Sequence, residues 1–339
     1  MPKTKAAAPK TAAQRTRMTR DEFMQKELPH LTEIVSFCGN LPVSLYADST
    51  VVKSPEAVFR GLCFSRNRLL SEEYLLNFRR SEADMGMLIG VNNYRLPMVL
   101  GALALRKLKE DPRGLLELPP AKKVNVPLGP VMRSRRSVRN YTGQPLAKTD
   151  LATILYYAQG VTWKLTLRDM PATAVLGANN ELELRAVGSG GGLYPVDLYL
   201  LGLNLEGLEK GAYHYLPQQH ALRLVKKLPA DFHHSQAGQF GEIQVDKANL
   251  LVVYVYRLFD NSRKYGDSGL AYALLEAGGI AQNLHLASTA LGLGPCDVGG
   301  YAKHQLEALL GLDGLSQHVI HLTVLGAPAP GGATEQKIG

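Results

Sequence analysis

Four glycines within five residues, in the run Gly188-Ser189-Gly190-Gly191-Gly192-Leu193-Tyr194-Pro195, constrain this chain more than any other feature. Glycine has no Cβ and reaches backbone conformations closed to other residues, so such a run lets the main chain lie close against a flat ligand. A turn alone needs fewer glycines. The run lacks the GxGxxG of a dinucleotide fold and the GK[ST] of a P-loop. It also precedes an apolar strand, residues 196–204, where a dinucleotide loop would follow one. The order argues against a Rossmann site.

A second segment, Ser262-Arg263-Lys264-Tyr265-Gly266, places side by side two groups that ionise near pH ~10 in water. If both enter one desolvated pocket, the ammonium favours phenolate while burial disfavours the ammonium, and either becomes a general base near neutrality. Arg133-Ser134-Arg135-Arg136-Ser137-Val138-Arg139 clusters four guanidinium groups and two hydroxyls. The planar fork of arginine pairs phosphate bidentately, and hydroxyls add directed donors, although such a run can equally be a solvated surface. A further glycine-rich segment, residues 292–301, reads as either a helix cap and turn or a source of backbone N–H groups for a ligand.

Around these motifs the chain divides into a basic tail (1–20), a mostly helical region (21–118), a Pro/Gly-rich linker (119–131), a main domain (132–330) and a short tail (331–339). Leu151, Ile154, Leu155 and Ala158 recur at helical spacing, with Thr149 as N-cap and Gly160 as stop. Residues 162–184 read as a long loop. A hairpin is expected over 212–225, turning near Pro217-Gln218-Gln219, and strands over 250–256 and 318–325. The strongest helix is 269–291. Its glycines 278 and 279 cost roughly 1 kcal/mol each in helix propensity, so close packing against another helix, from this chain or a second subunit, is expected.

The net charge of +8 resembles a nucleic-acid signal until it is divided along the chain. Residues 1–20 carry six bases and no acid, leaving a nearly neutral body, so no nucleic-acid partner is expected and the tail reads as disordered. The longest apolar stretch, residues 96–105, is half the ~20 residues a membrane-spanning helix needs. Cys38, Cys63 and Cys296 are odd in number and form no CxxC, which suits a reduced, cytoplasmic setting. His233-His234 lie outside any HExxH motif, and neighbours in sequence do not share a helix face; no metal site is expected.

The motifs, in this order, resemble the nitroreductase-like flavin enzymes and, within them, the SagB/ThcOx-type azoline dehydrogenases of thiazole- and oxazole-modified peptide biosynthesis. Arg135-Arg136-Ser137-Val138-Arg139-Asn140-Tyr141 is similar to the family's opening motif, Ser189 to Pro195 to its glycine loop, and Gly211-Ala212-Tyr213-His214-Tyr215 to its G-x-YHY strand. Leu274-Leu275-Glu276-Ala277-Gly278, with Gln282-Asn283-Leu284, resembles its long helix. Gly269, Tyr272 and Glu276 follow the Lys264–Tyr265 pair at the family's spacing. The resemblance spans about residues 130–328. The chain departs from the family at its end, where Lys337 is the only base after Gly326-Ala327-Pro328.

The resemblance implies an α+β nitroreductase fold, with a central, mostly antiparallel sheet flanked by helices, and a homodimer holding FMN at the subunit interface. Arg135, Arg136, Ser137 and Arg139 would hold the FMN phosphate, ribityl chain or pyrimidine edge, helped by Arg185. Ser189, Gly190, Gly191, Gly192 and Leu193 would line the ring system, and Val298, Gly299 and Gly300 would offer backbone contacts near N5. Lys264 or Tyr265 would be the base in oxidation of peptide thiazolines or oxazolines, with oxygen as final acceptor. Expected partners are a YcaO-type cyclodehydratase and a precursor peptide with its leader, with residues 21–118 as a peptide- or partner-binding region. Two alternatives stand beside this reading: an NAD(P)H-dependent nitro or quinone reductase, and a non-catalytic scaffold subunit of a peptide-cyclising complex.

Overall fold

A computed structural model describes residues 70–77, 89–92, 114–166, 181–229 and 231–330. The expected tails and most of the expected helical region fall outside these residues. The chain forms two units, divided after Ser81; the first contributes one described helix, α1 (Leu70–Asn77).

The second unit is built on seven strands: β1 (Leu115–Glu117), β4 (Val196–Gly202), β5 (Gly211–Leu216), β6 (Ala221–Lys227), β7 (Leu250–Arg257), β8 (Gly294–Val298) and β9 (Gln317–Gly326). They lie in the order β1-β6-β5-β4-β7-β9-β8, and every pairing is antiparallel. Two shorter strands, β2 (Val161–Thr166) and β3 (Glu181–Arg185), form a separate ribbon. The helices of this unit are α2 (Leu128–Ser134), α3 (Lys148–Gln159), α4 (Leu258–Tyr265), α5 (Ser268–Ala290) and α6 (Lys303–Leu310).

Successive residues of a strand face opposite sides, and here both sides are covered. On one face Val196, Leu198, Leu200, Val252 and Tyr254 pack with Leu151, Ile154 and Leu155 of α3 and Ile280 and Leu284 of α5. On the other, Tyr199, Leu201, Leu251 and Val253 pack with Leu306 and Leu310 of α6. At ~1.5–3 kcal/mol per fully buried aliphatic side chain, these two layers are the main source of stability. With both faces apolar, hydrophobic pattern alone does not select the register. Polar anchors do: Gln159 Nε2 donates to the Val196 carbonyl at 2.5 Å, and the Val196 N–H donates to Glu276 Oε1 at 3.2 Å.

Several local expectations are corrected. Thr149 lies inside α3, where its carbonyl accepts from Thr153 Oγ1; the cap position belongs to Ala147. The expected loop 162–184 begins and ends in the β2–β3 ribbon. Residues 292–301 contain β8, the last strand of the sheet. Gly292, at φ 74°, ends α5 as expected: its N–H reaches the Thr289 carbonyl and that of Leu293 the Ser288 carbonyl. Of Gly278 and Gly279 on α5, Gly279 alone makes the close approach, to the bend that follows β3. A Cβ on Gly279 would stand 2.9 Å from Val187 Cγ2, just before the glycine loop, whereas Gly278 faces open space.

Candidate active site

Lys264 and Tyr265 occupy the last turn of α4, which starts where β7 ends. Gly266 stops that helix at φ 55° and ψ −139°, a conformation strained for any side chain. Asn261 then ties α4 to the first turn of α5: it accepts from Tyr256 Oη at 2.7 Å and donates to the Gly269 carbonyl at 2.7 Å. A Cβ on residue 269 would stand 2.9 Å from Asn261 Oδ1, which accounts for glycine there. From behind, Gly90 in the helical residues 89–92 seats against the same turn; its Cβ would reach 2.7 Å from the Lys264 carbonyl oxygen.

The glycine run forms a tight turn over Gly190–Gly192, with Gly191 at φ 63° and Gly192 at φ 67°. The two motifs converge here. A Cβ on Gly191 would overlap Lys264 Nζ and stand 2.5 Å from Tyr265 Oη. Lys264 Nζ lies 5.0 Å from the centre of the Tyr265 ring, within cation–π range, and Tyr272 meets that ring edge-on at 5.0 Å. Tyr272 also packs under Gly190. A phenol oxygen and an amine nitrogen therefore share one small space against exposed loop backbone.

Below the loop lies a charged layer. Tyr194 holds φ 50°, unusual for a side chain of that size. Its N–H donates to Ser189 Oγ, its carbonyl accepts from Arg257 Nη2 at 3.0 Å, and its hydroxyl accepts from the Arg185 N–H at 3.0 Å. The Arg185 guanidinium lies over the Tyr194 ring at 4.6 Å. Arg257 Nε stands 2.8 Å from Asp260 and 3.3 Å from Asp197, which is 3.8 Å from His214 Nε2. Burial lowers the affinity of Arg185 and His214 for their protons. Glu276, only 2% exposed, receives hydrogen bonds from Ser189 and Val196 N–H, yet burial dominates and pushes its carboxyl up to about 7.

The arginine run leaves the C-terminal end of α2 and crosses β8. The Val138 N–H donates to the Pro295 carbonyl at 3.0 Å, and a Cβ on Gly294 would stand 2.5 Å from Val138. Arg136 Nη1 turns back to the carbonyls of Arg133 and Arg135, while Ser137 is exposed and Arg135 and Arg139 half-buried. At the other end of β8, Val298 is buried and Gly299 and Gly300 are exposed; the Gly300 carbonyl accepts from the Gln239 N–H at 2.7 Å. The site residues thus form two clusters, Lys264/Tyr265 with Gly190–Leu193 and Arg135–Arg139 with Gly294–Gly300. Helix α5 touches both the glycine turn and α2.

Sequence reasoning missed three features. Asp297 accepts from Thr323 at 2.6 Å and lies 3.1 Å from both His285 Nε2 and His321 Nε2. Burial raises its carboxyl, but these donors outweigh burial and hold it well below the usual range. Neighbours so distant in sequence leave no local signal. A cavity of 580 Å³, lined among others by Lys122, Lys123, Tyr156, Tyr157, Lys164 and His220, contains none of the motif residues. His233, His234 and Asp246 also meet, on the connection between β6 and β7.

The model of the nitroreductase family matches residues 132–327, more than half of the chain. Over 196 residues the chain is 30% identical to MJ1384 of Methanocaldococcus jannaschii, a protein named as a nitroreductase; the match covers 58% of this chain and 88% of that protein. Over 130 residues it is 32% identical to the microcin B17-processing protein McbC of Escherichia coli, covering 37% of this chain and 47% of McbC. Among solved structures, a Ralstonia eutropha protein named as a nitroreductase aligns with a TM-score of 0.49 at 22% identity, over 64% of this chain and 91% of that one. The Escherichia coli microcin synthetase McbBCD complex with truncated pro-MccB17 aligns at 0.48 and 20% identity, over 74% and 95%.

Proposed function

The chain belongs to the nitroreductase family, and from that premise we propose that it is an FMN-dependent dehydrogenase that oxidises peptide thiazolines or oxazolines to thiazoles or oxazoles. The observation that carries this reading is the meeting of Lys264 Nζ and Tyr265 Oη at Gly191. The likeness to a microcin-processing protein supports a peptide substrate.

The residues fit a flavin mononucleotide. Gly188, Gly192 and Gly299 would each project a Cβ into open space, so their backbones can approach a flat ring. The run from Arg133 to Arg139 offers four guanidinium groups and no carboxylate, which suits a phosphate. Arg135, Arg136, Ser137 and Arg139 would hold the phosphate, ribityl chain or pyrimidine edge; Ser189 to Leu193 would line the ring; Val298, Gly299 and Gly300 would face its N5 side. Arg185 would support the glycine loop from beneath. When bound, FMN supplies a two-electron acceptor that oxygen regenerates.

The chain's own contribution is positional and acid–base. Tyr265 or Lys264 takes the acidic ring proton of the azoline, and Tyr272 and Gly191 confine both side chains to that place. A second copy of the chain would complete the site through α5, whose Leu274 and Leu275 are 49% and 73% exposed. A cyclodehydratase would supply the azoline, and the region before the sheet would read the precursor's leader.

The test is oxidation of an azoline peptide, read as loss of two hydrogens per ring by mass spectrometry. Lys264→Ala and Tyr265→Phe should each lower turnover by about 10²-fold or more while flavin stays bound. Full activity in both variants removes the pair from the mechanism. The longer match to a protein named as a nitroreductase favours a second reading, reduction by NAD(P)H. Anaerobic bleaching of the bound flavin by nicotinamide would select it. A colourless protein that takes up no FMN would leave the scaffold reading.

A further inference from the structure

The connection between β6 and β7 gathers two imidazoles and a carboxylate that the proposed reaction does not use. His233 caps the short turn His234–Gln236 in an extended conformation, so the two neighbouring rings fold together, with centroids 4.0 Å apart. Asp246 approaches from the next turn, Val245–Lys247. His234 Nδ1 lies 2.6 Å, and His233 Nε2 3.9 Å, from the same Asp246 oxygen, and one ligand atom from each residue falls within 4.8 Å of the others.

We propose that His233 Nε2, His234 Nδ1 and Asp246 Oδ1 form a binding site for a divalent transition metal of the zinc class, with solvent completing the coordination. A tetrahedral zinc ion with bonds of ~2.0–2.1 Å needs ligand atoms roughly 3.3 Å apart. The two observed separations straddle that value, so side-chain shifts of under about an ångström close the site. Two nitrogens and one oxygen suit zinc, nickel or copper and disfavour magnesium or calcium, which take oxygen ligands.

The surroundings orient the ligands. Ser235 holds the His233 ring in place through Nδ1, its N–H donating at 3.3 Å and its Oγ lying 2.8 Å away, with Nε2 turned toward Asp246. The His234 ring packs edge-on against Phe240, itself only 7% exposed. Asp246 is held because the neighbouring Val245 is buried and the Gln244 N–H donates to the Arg139 carbonyl at 2.8 Å. Beyond the histidines, the Ala237 carbonyl accepts from the Ala302 N–H and the Gln239 N–H donates to the Gly300 carbonyl. A bound ion would therefore clamp the loop that carries the Gly299–Gly300 backbone, a structural role independent of the flavin reading.

The experiment is calorimetric titration of the chelator-treated full-length protein with zinc chloride, and with magnesium chloride as control. The wild type should bind one more zinc equivalent than His233→Ala/His234→Ala or Asp246→Ala, and no magnesium at the same concentrations. Hundredfold excess over Kd should raise the unfolding midpoint of the wild type by about 5–10 °C relative to both variants. Equal zinc stoichiometry in wild type and variants, or equal thermal shifts, would show that the three residues form only a surface ion pair and would overturn the proposal. The Asp246 side chain is 70% exposed, so Asp246→Ala removes a ligand and leaves the core intact.

Discussion

Gly191 is the residue with the least room to change. Its φ of 63° strains any side chain, and a Cβ would enter the space shared by Lys264 and Tyr265. Gly191→Ala should lower azoline turnover more than tenfold, with a loss of stability of only about 1 kcal/mol, measured by steady-state kinetics and thermal unfolding side by side. Glu276 titrates differently from an exposed carboxylate because burial pushes it up to about 7. The folded state then binds a proton that the unfolded chain has released, so stability falls as pH rises from about 4.5 to about 7, and this contribution is flat above. The span corresponds to roughly 3 kcal/mol. Glu276→Gln should flatten that slope and leave the protein more stable than wild type at pH 8; an unchanged slope in unfolding midpoints across pH 4.5–8 would reject the assignment. The glycine run and the lysine–tyrosine pair were legible in sequence as separate motifs. Their meeting at one atom was not, because 72 residues lie between Gly191 and Lys264 and no local pattern encodes that approach.

Two elements carry the site, and each depends on one tight contact. The α4–α5 junction places the pair through Gly266 and Asn261, and β8 positions the arginine run through Gly294. A methyl group on Gly294 meets three Val138 atoms at 2.5–2.7 Å, two of them methyl carbons, so the arginine segment must shift. Gly294→Ala should cost about 1–3 kcal/mol of stability and weaken FMN binding without touching Lys264 or Tyr265; unchanged flavin affinity in a fluorescence titration would separate this contact from the phosphate site. The hairpin of β5 and β6 and the long helix α5 matched their sequence signals closely, since each is an apolar run bounded by turn residues. By contrast, β8 was hidden: Gly294 and Pro295 have poor strand propensity, and only pairing with β9 makes the segment extended. The same holds for the ends of the 162–184 segment, which become strands by pairing with each other.

At the scale of the molecule, a seven-stranded antiparallel sheet covered on both faces leaves exposed, among the described residues, a stretch of α5 bearing Leu274, Leu275 and the open Gly278. Two exposed leucines beside a glycine with no neighbour suit a partner helix at close range, which is how a second copy would bring its own arginine run to the site. Leu275→Glu should convert a dimer to a monomer in light-scattering measurements and lower flavin retention; a wild-type monomer that binds FMN fully would remove the interface from the site. No helix among the described residues is long and apolar enough to cross a membrane. What the sequence determined by itself was whatever short-range chemistry encodes: the apolar strands, the glycine run, the long helix and the family pattern of residues 132–327. What only tertiary structure decided was which of these meet. Strand order, the placement of Lys264 and Tyr265 against Gly191, the Asp297 network and the His233–His234–Asp246 cluster all arise from long-range packing, in which the energy belongs to pairs of residues that the linear order keeps apart.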